Sequence, residues 1–350
     1  MSRFDTPAAS PAGEHDRAVA KGEVLARVGL VGRSEPFQRM ISEIERLAKI
    51  DVLVLLQGAT GTGKELAARA IHYLGARSAC PFVPVDCGAL PEALFEGEVF
   101  GHARGAFTDA RREMRGLAAQ AEKGTLFIDE VHTLSKRSQG ALLRFLQDRS
   151  YRPLGSERLY RADVRIIAAA NCSLEQAVAE GAFRADLFYR LSVATIDLPN
   201  LCDRAEDIPL LASDFLTKLA SRYNRPKRHF DDAALGWLAA RPWPGNVREL
   251  EHFVHREFLR SDERTITLQD SIVATEARAR PVRPFNVERA KALTRFEVQY
   301  VRMLLAATRG NVSEAARRAG KDRRVFGRLM KKYQIDRNDF GKGWSAPPGV

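Results

Sequence analysis

One seven-residue stretch constrains this 350-residue chain more than any other: Gly58-Ala59-Thr60-Gly61-Thr62-Gly63-Lys64, set between the apolar run Asp51–Gln57 and a helical stretch from Glu65 to Leu74. The apolar run reads as a strand buried on both faces. Strand, glycine-rich turn and helix in that order make a phosphate cradle. The glycines let backbone N–H groups close around oxygens, the helix N-terminus adds favourable partial charge, and Lys64 would neutralise the β- and γ-phosphates. The plainer alternative, a glycine turn that merely leads into a helix, needs neither the strand nor the lysine. Glu65 stands where Ser or Thr usually supplies a magnesium ligand, so Mg²⁺ would rely on phosphates, water and an acid elsewhere.

That acid is present in Leu126-Phe127-Ile128-Asp129-Glu130, an apolar strand ending in two carboxylates. Asp129 would hold Mg²⁺, directly or through water, and Glu130 would orient and activate the attacking water as general base. An apolar run ending in Asp-Glu is common by chance; downstream of a phosphate loop it becomes specific. Pro81–Val85, Thr125–Ile128 and Val164–Ala169 are further buried-strand candidates, interleaved with helical stretches such as Gln139–Arg149. Such alternation predicts an α/β fold with a parallel sheet. After Pro199 the strand signals stop, and Asp207–Tyr223, Asp231–Ala240 and Asn246–Leu259 predict a small all-helical domain.

Charge divides the chain again. The net charge of +11 comes entirely from residues 276–350, which hold 18 Lys+Arg and 7 Asp+Glu, while residues 1–275 hold 37 of each sign. A neutral body thus carries a basic tail suited to nucleic acid or another anionic surface. At 45% apolar and 28% charged residues, a mostly disordered or collagen-like chain is excluded. Four cysteines (Cys80, Cys87, Cys172, Cys202) make no disulfide scaffold and no C-x-x-C pair. His252 and His255 lie one helical turn apart, without the neighbours that zinc would need. No run reaches membrane-spanning length and the N-terminus lacks a secretory apolar segment, so a cytoplasmic location without membrane attachment is expected. The predicted layout is an arm at 1–28, an α/β nucleotide-binding core at 29–200, a small helical domain at 201–270, a linker at 271–285, a basic helical unit at 286–337 and a tail at 338–350.

With these residues in view, the chain resembles the bacterial enhancer-binding proteins, the NtrC-like AAA+ ATPases that activate sigma-54 RNA polymerase. Glu65 after the loop lysine is typical of them. Their L1-loop signature appears as Gly105-Ala106-Phe107-Thr108-Asp109-Ala110 after Phe100-Gly101-His102; their arginine-finger segment as Gly181 to Leu191; and the start of their lid as Leu198-Pro199 and Glu206-Asp207-Ile208-Pro209. Their sensor II motif appears as Trp243-Pro244-Gly245-Asn246-Val247-Arg248-Glu249-Leu250-Glu251. The resemblance spans about residues 29–260. It implies ATP and Mg²⁺ as cofactors, bound by Gly58–Lys64, Glu65 and Asp129, with Arg248 reporting nucleotide state in cis. Arg184 and Arg190 would reach the γ-phosphate of a neighbouring subunit, where an arginine supplied in trans is worth roughly 10³–10⁵ in rate. A homo-oligomer, from dimer to hexameric ring, or a mixed ring follows. Asn171 occupies the sensor I position, and Phe107 and Thr108 would form the tip that meets sigma-54.

The chain also departs from the family pattern. Asp109 replaces the second glycine of the L1 signature, adding charge at the contact tip while tolerating positive φ better than most residues. Asp86 stands where the family usually has the Asn that holds the catalytic Glu, and would be a like charge beside Glu130. Ala170 replaces the Thr before Asn171, and Ala118-Ala119 replace a Phe-Glu pair. None removes an obligatory catalytic group, so ATPase activity with altered coupling is expected.

The basic tail from Gly310 to Tyr333 reads as helix, short turn, helix, with Ser313 as N-cap of the first helix and Gly320 in its left-handed C-terminal turn. Ala315, Ala316 and Ala319 would permit the close crossing of a helix-turn-helix, and Ser313, Arg323, Arg324, Arg328, Lys331 and Lys332 would meet DNA. The unit resembles the Fis-type domain that ends most family members, with the preceding helix pairing two copies on a palindromic site. The leading expectation is therefore a sigma-54-dependent activator that binds upstream activator DNA and remodels the closed holoenzyme–promoter complex. The arm is too short for a receiver domain, so control would come from a separate regulatory protein, expression or a mixed ring. Two rivals stay open: a DNA-binding regulator with a degenerate ATPase acting without sigma-54, and an AAA+ DNA remodeller.

Overall fold

The computed structural model describes residues 22–106, 112–268, 297–298, 300–308, 310–333 and 335–336. They fall into two compact units, divided after Thr267.

The first unit is built on five parallel strands: β1 (Val54–Gln57), β2 (Phe82–Asp86), β3 (Thr125–Asp129), β4 (Arg165–Ala170) and β5 (Thr195–Asp197), in spatial order β2-β3-β4-β1-β5. Their period-two alternation divides one sequence between two cores. Leu55, Leu126, Ile128, Ile166 and Ala168 enter one hydrophobic cluster, while Val54, Leu56, Phe127, Ile167 and Ala169 enter the other. A sheet buried on both faces has no use for polar alternation, so its strands read as unbroken apolar runs. β5 is the exception. Three residues long, with only Ile196 buried, it carries too little pattern to be foreseen, and it forms one edge of the sheet beside β1.

Helices α1 (Glu35–Ala48), α2 (Lys64–Tyr73), α3 (Lys136–Asp148) and α4 (Ala185–Leu191) cover the sheet. Ser34 caps α1, and Arg165, buried at the start of β4, donates to the Ala48 and Leu47 carbonyls at 3.0 and 2.6 Å, closing its other end. Residues 22–28, placed in the arm by composition, are helical, because Leu25 and Val28 join the cluster beside α1. That correction extends the folded body back to residue 22 among the described residues.

The lid follows as α5 (Ile208–Tyr223), α6 (Asp232–Ala240) and α7 (Asn246–Arg260). It is not wholly helical as expected: β6 (His229–Phe230) and β7 (Thr265–Ile266) pair in parallel. Two residues of strand carry no readable periodicity, yet burying Phe230 and Ile266 fixes the lid's last loop. Core and lid are tied by Asp207, fully buried, which accepts from the Arg33 N–H at 2.6 Å, the Ser34 N–H at 2.9 Å and the Ser34 hydroxyl at 2.7 Å.

In the second unit, residues 300–307 are helical and are followed by α8 (Val312–Arg318) and α9 (Arg323–Lys332). Val301, Leu304, Leu305, Ala315, Ala316, Phe326 and Ile335 form its core. Here the predicted cap is corrected. Asn311, not Ser313, is the N-cap of α8, its side-chain oxygen accepting the Glu314 N–H at 3.2 Å, and Ser313 lies inside the first turn. Gly310, at φ +81°, delivers the chain two residues earlier than expected. Gly320 adopts φ +61° after α8, and Asp322 caps α9. The proposed linker 271–285 lies outside the described residues.

Candidate functional site

The C-terminal ends of β1, β3 and β4 converge on one place, where loops leave a parallel sheet and ligands of α/β folds commonly bind. After β1 the chain turns through Gly58–Gly63, with Gly61 at φ +80° and Gly63 at φ +101°, and Lys64 opens α2. The Lys64 side chain is 8% exposed, and its amine donates back to the loop, to the Gly58 carbonyl at 2.8 Å and the Ala59 carbonyl at 3.3 Å. Burial lowers its pKa, opposed by the nearby charges of Asp129 and Glu130, while Arg248 adds to the lowering. Thr62, buried, donates to the Ala59 carbonyl at 2.8 Å. Glu65 points along its own helix to Arg69, whose guanidinium donates to it at 2.7 and 3.0 Å.

Asp129 ends β3 with its Oδ1 accepting the Glu130 N–H at 2.9 Å, and burial holds its carboxyl above the usual range. Glu130 sits at φ +51°, a conformation costly for a residue with a side chain and concentrated at functional sites. Its carboxylate accepts from the Asn171 amide at 3.2 Å, and the same amide nitrogen reaches the Thr60 hydroxyl at 3.4 Å. Asp86 is paired in register with Asp129 across β2 and β3, yet its carboxylate is engaged by its own turn. Its Oδ1 accepts the Gly88 N–H at 2.9 Å and the Ala89 N–H at 3.2 Å. The Glu130 carboxylate lies over Gly88, where a methyl group would come within 2.6 Å of it.

The lid closes directly on this loop. The Val247 N–H donates to the Gly61 carbonyl at 3.0 Å, and the Asn246 amide donates to the Thr60 carbonyl at 3.0 Å. Arg248 is the next residue along. Sequence reasoning found Arg248 and gave Asn246 no role of its own, although Asn tolerates positive φ better than most residues, and Asn246 does adopt φ +51°.

The remaining predicted residues stand apart. Arg184 is exposed and forms a two-pronged pair with Asp186, at 3.0 and 2.7 Å, while its own N–H is held at 2.9 Å by the buried Gln139. Arg190, also exposed, donates to the Leu146 carbonyl at 3.2 Å. Both hydrogen-bond within the α3–α4 region rather than with the phosphate loop. Gly105 takes φ +82° and Ala106 rests against Gly155, whereas Phe107, Thr108, Asp109 and Ala110 lie outside the described residues. In the second unit Arg323, Arg324, Arg328, Lys331 and Lys332 are all exposed, and Lys332 pairs with Glu297 at 3.3 Å. Among the described residues no group of three or more His, Cys, Asp or Glu could hold a metal ion unaided, and no helix is long and apolar enough to cross a membrane.

A glycine-lined phosphate loop after β1, paired carboxylates after β3 and a helical lid resting on the loop define an AAA+ P-loop NTPase. Residues 30–197 match the family described as the Sigma-54 interaction domain, and residues 202–283 the AAA+ ATPase lid domain. The chain belongs to the sigma-54-dependent transcriptional regulators. It is 43% identical over 321 residues to Transcriptional regulatory protein GlrR of Escherichia coli (strain K12), covering 90% of this chain and 70% of that protein. It is 40% identical over 301 residues to Transcriptional regulatory protein ZraR of Salmonella typhi, covering 86% and 68%. The solved structure of NtrX from Brucella abortus in complex with ADP superposes with a TM-score of 0.64 at 30% identity, over 92% of this chain and 73% of that one. A structure of the same protein in complex with ATP matches equally well, with a TM-score of 0.64 at 31% identity.

Proposed function

We propose that this chain hydrolyses ATP in an oligomeric ring and uses the energy to remodel the closed complex of sigma-54 RNA polymerase at promoters, while its basic C-terminal unit binds upstream DNA as a helix-turn-helix. The observation that carries the reading is the convergence of Lys64, Asp129, Glu130 and Asn171 around one glycine-lined loop. These residues suit a magnesium nucleotide. The loop offers backbone N–H groups and a lysine amine that has only carbonyls to satisfy it, and the Asp129 carboxylate, whose charge is penalised by burial, is one that a bound cation would compensate.

Gly58–Gly63 and Lys64 would hold the phosphates, and Asp129 would hold Mg²⁺ together with phosphate oxygens. Bound Mg²⁺ would supply neutralisation of charge on the transferred phosphoryl group. Glu130 would accept the proton of the attacking water, its carboxylate aimed by Asn171. Arg184 and Arg190, whose bonds lie away from their own loop, are suited to complete the site of a neighbouring subunit. The L1 segment around Phe107 and Thr108 would carry the motion to sigma-54.

Open-complex formation with sigma-54 polymerase tests the reading in one comparison. The unaltered protein should open a promoter with ATP. Phe107→Ala should keep most hydrolysis and lose opening, and Lys64→Ala should lose both. If the unaltered protein hydrolyses ATP but opens no promoter, the remodelling role fails. If Glu130→Gln leaves ATP turnover unchanged, the residues assigned here do not carry it.

A further inference from the structure

Thr60 stands at the crossing of two hydrogen-bond systems that share no other residue. Its backbone carbonyl accepts from the Asn246 side chain of the lid at 3.0 Å, and its hydroxyl meets the Asn171 amide at 3.4 Å. Asn171 uses that same nitrogen to hold Glu130 at 3.2 Å. Asn246 is 3% exposed, and its other side-chain atom accepts the Leu201 N–H at 2.9 Å, at the start of the lid. An unbroken series therefore runs from the Leu201 backbone through Asn246, Thr60 and Asn171 to the Glu130 carboxylate. The backbone itself is held alongside, by the Val247 N–H on the Gly61 carbonyl and by direct contact of Gly61 with Gly245.

We infer that Asn246 and Thr60 are positioning residues that couple the lid's seating to the aim of Glu130. Two features favour coupling over simple fastening. The backbone bond from Val247 and the Gly61–Gly245 contact already fasten the lid, so the Asn246 side chain is not required for that purpose. A buried amide also keeps its place only while both its donor and its acceptor are satisfied. If the lid shifts, Asn246 loses Thr60 or Leu201, and any turn of Thr60 changes what the Asn171 amide can hold. The lid thereby acts on the carboxylate without touching it. This rests on the ATPase reading above.

The side chain can be removed without straining the backbone, because glycine accepts the φ of +51° at position 246. Asn246→Gly deletes both bonds, Asn246→Asp keeps the acceptor for Leu201 and deletes the donor to Thr60, and Thr60→Val deletes only the hydroxyl. In the full-length protein, steady-state ATP hydrolysis and ADP affinity are measured for each single variant and for Thr60→Val with Asn246→Asp. Coupling predicts that each single change lowers kcat about tenfold, with ADP affinity and KM held within about threefold. It further predicts that the double variant is no slower than the worse single one, and that Thr60→Ser recovers most of the turnover. Multiplying losses in the double variant, or losses confined to KM, ADP affinity or Tm, overturn the coupling while leaving the ATPase reading intact. An unaltered protein without turnover overturns both.

Discussion

Among the described residues, one of the two units buries arginine and the other leaves it exposed. In the AAA+ body three guanidinium groups are buried as structural parts. Arg165 closes the C-terminal end of α1, Arg204 lies over the Phe37 ring at 5.5 Å, and Arg228 lies over the Phe258 ring at 4.5 Å while donating to the Phe258 and Ser261 carbonyls. Burial lowers the pKa of Arg165 and of Arg204, the cost of keeping a cation away from water. In the second unit Arg323, Arg324 and Arg328 stand exposed along α9. Net charge follows the same division: zero through residue 275, +11 beyond it. Arg165 and Arg228 meet carbonyls of their own chain, whereas an exposed row of arginines is available to something else.

The sharpest way to break this contrast is through Arg190, an arginine of the body that is exposed. If it serves a neighbouring subunit, Arg190→Ala should lower kcat by about 10³-fold or more while ATP still binds. Mixing it with Lys64→Ala, itself inactive, should restore part of the turnover, because some sites then combine a sound loop with a sound arginine. Absence of recovery at any mixing ratio would place Arg190 among the structural arginines. A smaller effect is expected from Arg328→Ala in the second unit. Specific DNA binding should weaken by about 1–3 kcal/mol for a base contact, or evenly across sequences with a shallower salt dependence for a phosphate contact. ATP hydrolysis without DNA should not change, and if it does, the two units are not separable in function.

The smallest effect concerns a buried neutral base in the body. His72 is 1% exposed, with Nδ1 at 2.9 Å from the Thr125 hydroxyl, and burial lowers its pKa below 6.5. The unfolded chain therefore takes up the proton first. His72 contributes its full share of stability above about pH 6.5 and loses it as pH falls towards the lower folded value. Thermal melts should show Tm declining over that interval by a few degrees at most, and His72→Gln should flatten the decline. An unchanged slope in the variant would assign acid sensitivity to other groups.

Where residues are long and uniform in character, the sequence is legible. The runs that became β1, β3 and β4 read directly, because full burial on both faces leaves no polar alternation to misread. The phosphate loop and Asp129-Glu130 read equally well, since glycine freedom and carboxylate chemistry need particular residue types at fixed spacing. β5, β6 and β7 escaped because two or three residues cannot display a period. Asn311 displaced Ser313 as the cap through a glycine turn whose exact length only the backbone reveals. Asn246 was hidden for a different reason. Its partners, Thr60 and Leu201, lie 186 and 45 residues away in sequence, and no local pattern announces a contact across such distances.

At Gly61 a single methyl group would come within 2.2 Å of the Gly245 carbonyl oxygen. The spacing between phosphate loop and lid is thus gauged by missing atoms rather than by side chains that could be repacked. A lid helix could exchange core residues or surface charge elsewhere, but any side chain added at position 61 would meet the Gly245 backbone. A fit of that kind has no rotamer to adjust and no ion for salt to screen, so it is met by bare backbone or not at all.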